Sequence, residues 1–107
     1  MSDEYKVSLD LSFFRPLTYN EIDSLTDIVN EMMYDDNCDE YTNKNGISCT
    51  GKIRLSSGPP DASSIRKQAR DYFDNLLSQI SNITSKGEIA ASFTNLDYPN
   101  FTFKEVF

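Results

Sequence analysis

The chain has 107 residues, with 17 Asp and Glu against 10 Lys and Arg and no His, for a formal net charge of −7 at pH 7. That length fits one domain, 1–107, and Val, Ile, Leu and Phe at 24% of residues exceed the ~20% below which charged chains tend to stay disordered. No run of ~18 apolar residues encodes a membrane span, and the polar start Met1–Lys6 lacks a secretory pattern, so the default location is the cytoplasm.

Residues 5–13 alternate, with Tyr5, Val7, Leu9, Leu11 and Phe13 on one side, which is a strand with one buried face. Arg15-Pro16 ends it. Thr18 and Glu21 then have the spacing of a capping box, and Leu17 and Ile22 that of a hydrophobic staple. Ile22, Leu25, Ile28, Val29, Met32 and Met33 recur at helical spacing, predicting a helix over 19–34 that Asp35-Asp36-Asn37 closes.

A short strand over 38–42, a turn over 43–46 and a strand over 47–55 make a hairpin, with Gly51 as a candidate bulge. After the Gly58-Pro59-Pro60 breaker, Asp61 or Ser63 can cap a second helix running to about Ser81, with Ile65, Ala69, Tyr72, Phe73, Leu76, Leu77 and Ile80 in its apolar stripe. A strand follows over 89–94, and the alternation of Phe101 and Phe103 with Thr102 and Lys104 leaves room for an extra C-terminal strand.

The expected fold class is α+β: a single ferredoxin-like βαββαβ domain, its antiparallel sheet covered by two helices on one face. The other face, with Lys6, Ser8, Asp10, Ser12, Ser48, Thr50, Lys52 and Arg54, is polar and needs no cover. Such a fold hosts many functions and names none.

Without His there is no Ser-His or Cys-His nucleophile and no four-ligand Cys/His zinc site. The glycines are isolated, so no phosphate loop is present. The expectation is a protein that is not an enzyme and takes no cofactor and no metal. Asp35, Asn37 and Asp39 occupy the first alternating ligand positions of a calcium loop. Glu40 then stands where a Gly is needed and Gly46 where the bidentate Glu belongs. Cys38 and Cys49 read first as two small buried apolar residues in a reducing compartment, with a redox pair as the alternative. Arg66, Lys67 and Arg70 are the densest basic group, but Asp71 and Asp74 stand at ion-pairing distance along the helix.

The acidic block is the unusual feature. Between Arg15 and Lys44 there is no Lys or Arg. Asp23, Asp27 and Glu31 are spaced by four, with Asp35 extending the row, and like charges at that spacing cost a helix about 0.2–0.5 kcal/mol per pair. Asp35 and Asp36 are further expected to oppose the dipole at the helix C-terminus. The candidate partner-binding residues are Asp23, Asp27, Glu31, Asp35, Asp36, Asp39 and Glu40, bracketed by Tyr34 and Tyr41 as aromatic anchors.

An anionic ridge of this kind fits a basic protein rather than nucleic acid or a membrane. A nuclease, a toxin or a nucleic-acid-guided defence complex is the expected target, blocked by imitation of phosphate charge. Immunity proteins and phage-encoded inhibitors of host defence share this profile of composition. The alternative is a homo-oligomeric accessory domain, a homodimer for instance, using the sheet edge and the aromatic segment from Phe101 to Phe107.

Overall fold

The computed structural model describes residues 2–40, 45–56, 62–83, 86–95 and 100–107. In chain order the elements are β1 (Ser2–Phe13), α1 (Tyr19–Met32), β2 (Tyr34–Glu40), β3 (Gly46–Ser56), α2 (Ala62–Ser81), β4 (Gly87–Thr94) and β5 (Phe101–Val106). All pairings are antiparallel, in the order β2-β3-β1-β4-β5. A fifth strand thus lies outside β4, and the four-stranded ferredoxin-like plan is not matched as such.

Alternation along the strands decides which face is covered. Tyr5, Val7, Leu9, Leu11 and Phe13 of β1 form one core with Ile47, Cys49, Ile53 and Leu55 of β3 and Ile89, Ala91 and Phe93 of β4. The same core contains Ile22, Leu25 and Val29 of α1 and Ile65, Ala69, Phe73, Leu76 and Ile80 of α2, so both helices cover one face of the sheet. No helix among the described residues is long and apolar enough to cross a membrane.

β5 completes that core. Phe101 and Phe103 are buried, and Phe103 packs its ring near those of Phe73 and Phe93. Gly87 and Phe107 exchange backbone hydrogen bonds of 2.8 and 2.9 Å, and the Phe107 ring meets Phe13 edge-on. The C-terminal aromatics expected as a docking segment are therefore spent on the protein's own sheet.

The capping box forms as expected. The Thr18 hydroxyl accepts from the Glu21 amide at 3.2 Å, and the Glu21 carboxylate accepts from the Thr18 amide at 2.9 Å. The helix ends two residues before the expected limit. Met33 is extended, with φ −148° and ψ 166°, and the chain enters β2 at once. The reason is packing: Met33 is buried against Gly51, where an added Cβ would lie 2.2 Å from the Met33 Sδ. Gly51 is thus required by close approach rather than by a bulge, and it pairs in register with Val7. The irregularity falls in β2 instead, between Tyr34 and Asn37, where Asp35 takes φ 51°.

Cys38 and Cys49 are joined in a disulfide, so the expectation of two separate buried thiols is corrected. They are direct partners across β2 and β3, with Cα atoms 4.1 Å apart. The hairpin register, which centres between Asn43 and Lys44, brings them together. The residues of that connection, 41–44, lie outside the described set, as does the Gly58-Pro59-Pro60 breaker.

Candidate functional site

The exposed side of α1 carries Tyr19, Asp23, Asp27 and Glu31, one helical row at a spacing of four. All four are exposed because Ile22, Leu25 and Val29 fix the opposite side of the helix in the core. The row advances about 6 Å per residue along the helix. Among the described residues, no Lys or Arg lies within ion-pair distance of Asp23, Asp27 or Glu31. The last turn of the helix holds no basic residue either. Its terminal carbonyl is satisfied from α2 instead, because the Tyr72 hydroxyl donates to the Met32 carbonyl at 2.8 Å. Burial raises the Tyr72 phenol above its ordinary range and keeps it a donor.

The entrance of α1 is clamped. Arg15 donates to both oxygens of Glu21, at 2.8 and 2.6 Å. This contact and the Thr18 amide hold the Glu21 carboxyl down at about 2. The clamp fixes how Tyr19 and the following acids are presented.

Other expected site residues fall elsewhere. Tyr34, Asp35, Asp36, Asp39 and Glu40 belong to β2, not to the helix, so Asp35 does not continue the helical row. The Tyr34 hydroxyl donates to the Glu4 carboxylate at 2.7 Å, which lowers the Glu4 carboxyl and raises the Tyr34 phenol. Asp35 lies 3.7 Å from the Lys52 ammonium. Both therefore engage the open face of the sheet. Asp39 stands opposite Ser48 on that same face, while Asp36 approaches Gly51 on the helix side. Asp39 and Glu40 are exposed along the sheet edge. Tyr41 lies outside the described residues. Among the described residues no group of His, Cys, Asp or Glu converges on a metal-sized site.

Sequence reasoning passed over two exposed aromatics. Phe14, directly after β1, is 78% exposed, and Tyr19, the first residue of α1, is 71% exposed. Phe14 had a signal: it follows Phe13 directly, so alternation turns it away from the core. Tyr19 stands four residues before Asp23, which puts it at the head of the acidic row.

Two of the three basic residues on α2 are engaged within the fold, whereas Lys67 is exposed and forms no ion pair with Asp71. Arg70 pairs with Asp74 at 3.1 Å and with Glu105 of β5 at 2.9 Å, while the Arg66 guanidinium lies 5.3 Å from the Phe103 ring. Comparison with protein-family models, with curated proteins and with solved structures finds no match.

Proposed function

We propose that this is a small, non-enzymatic, acidic binding protein that inhibits a basic nucleic-acid-binding protein by imitating phosphate charge. One observation carries the reading: Asp23, Asp27 and Glu31 form an exposed row without an ion-pair partner among the described residues. A helix selected for stability alone would intersperse Lys, because each like-charge pair at this spacing costs about 0.2–0.5 kcal/mol. An external cationic surface removes that cost on binding.

Magnitudes bound how the contact works. Carboxylates every ~6 Å along the helix are sparser than the phosphates of a single DNA strand, one per ~3.4 Å of axis. Charge alone therefore steers the encounter, and apolar area must hold the complex. Tyr19 at the head of the row supplies such area. Tyr34, bonded to Glu4, is less suited to anchor. Asp36 and Glu40, on the helix side of β2, extend the acidic surface along the sheet edge, and the charges of β2 keep that edge from pairing with other strands.

The target class is a nuclease, a toxin or a nucleic-acid-guided defence complex, as in phage-encoded inhibitors or immunity proteins. A cytoplasmic location belongs to the proposal, and the Cys38–Cys49 bond weighs against it, since disulfides persist in oxidising compartments. The test uses the wild-type protein and its D23K/D27K/E31K variant as baits, with duplex DNA as competitor. The reading expects a basic partner that the wild type retains, that the triple variant loses and that DNA displaces. Equal retention by both baits overturns it.

A further inference from the structure

The open face of the sheet has an order of its own, set by register. One row crosses all five strands with small polar side chains: Asn37, Thr50, Ser8, Ser92 and Thr102 are successive partners. Two residues to one side lies the pair Lys6 and Lys52; two residues to the other side lie Asp10 and Asp39, partnered through Ser48. Along β1 the face is thus cationic on one side of the hydroxyl row and anionic on the other, while Lys104 of β5 stands in the Asp10 row.

Two features of this arrangement call for a partner. Lys6 and Lys52 are directly opposed like charges in a sheet, a destabilising pairing. Lys52 has Glu4 and Asp35 at 3.7 Å, but Lys6 has no carboxylate within ion-pair distance among the described residues. The face is also close to charge balance, with Lys6, Lys52, Arg54 and Lys104 among its side chains, whereas the chain as a whole carries −7. Glu4, Asp10, Asp39 and Glu88 stand against those cations on the same face, so two copies meet there with little net repulsion.

We infer that the open sheet face is a self-association surface, and that its occupant is a second copy of this chain. A two-fold axis lying along the Ser8 row, in the plane of the interface, stacks β1 on β1 of the second copy in the opposite direction. Lys6 of each copy then faces Asp10 of the other, giving two symmetric ion pairs around a centre of hydroxyls. The alternative axis, along the strands, sets Lys6 against Lys6 and is disfavoured. The small side chains leave a depression of about 330 Å³ between Ser8, Ser48, Ala90, Ser92 and Lys104, which lets the sheets approach closely. Stacked sheets sit ~10 Å apart, a gap that a Lys side chain at the flank spans. With rows ~7 Å apart and five strands ~4.8 Å apart, the contact buries on the order of 1,000 Å² over both copies, the lower end for a specific interface. Both α1 faces remain outside the contact, so this inference does not rest on the proposed function.

The test is mass in solution by light scattering, on wild type, K6D, D10K and K6D/D10K, with circular dichroism to verify that each is folded. The wild type is expected to approach twice 12.2 kDa as concentration rises, each single variant to remain at the monomer mass, and the double variant to recover the dimer through the exchanged pairs. A wild type that is still monomeric at about 1 mM overturns the inference. So does a K6D protein that dimerises like wild type, which would place the contact on another surface.

Discussion

Glu21 is held ionised from two sides, by the Arg15 guanidinium and the Thr18 amide, and its carboxyl sits at about 2 instead of 4.5. A carboxylate depressed on folding contributes stability above its unfolded value, and that contribution fades as pH falls toward the folded one. The wild type is therefore expected to lose stability between about pH 4.5 and pH 2, and E21Q to show a shallower decline over that window, measured by urea unfolding at a series of pH values. Thr18→Ala removes the other half of the box and is expected to cost about 1 kcal/mol at neutral pH. Cys38 and Cys49 act at the same scale. They close a loop with a sequence separation of 11, so reduction or C38S/C49S is expected to lower stability by about 2–3 kcal/mol, read as a shift in the urea midpoint with and without a dithiol.

At the scale of elements, α1 sets function against stability. Replacing Asp27 with Lys turns both of its neighbouring repulsions into attractions, so D27K is expected to be more stable by about 0.8–2 kcal/mol while weakening partner capture. A D27K protein less stable than wild type would mean that the row is satisfied by contacts within the fold. Tyr19→Ala is expected to leave thermal stability nearly unchanged, because the side chain is 71% exposed, and to shorten the lifetime of the captured complex.

The start of α1 was legible in the sequence because Thr18, Glu21, Leu17 and Ile22 act within one turn of the chain. Its end was not. The apolar period runs on through Met33, and what stops the helix is the space at Gly51, a residue eighteen positions away that local pattern does not reach. The same miss moved Asp35 and Asp36 from the helix into β2. The disulfide depended on hairpin register across residues with no decisive turn signal, and a prior about compartment outweighed it.

For the whole molecule, alternation and helical period sufficed to foresee an α+β chain with one covered and one open sheet face. They could not assign the last strand its role. Phe101 and Phe103 read equally well as a docking segment or as core, and only pairing with β4 decides for core. Charge separates by side in the folded protein: an anionic row without an ion-pair partner among the described residues lies on the outer surface of α1, and a nearly balanced pattern on the open sheet. The first is proposed to meet a basic partner and the second another copy, so variants of one surface are expected to leave the other's readout intact.

The most direct measurement is the salt dependence of complex formation between this protein and the partner it captures, for wild type and D23K/D27K/E31K side by side. Electrostatic competition for a phosphate-binding surface predicts association by the wild type that falls steeply with ionic strength and no measurable complex for the triple variant at any salt. Association that is flat with salt, or that survives the triple change, would contradict the account.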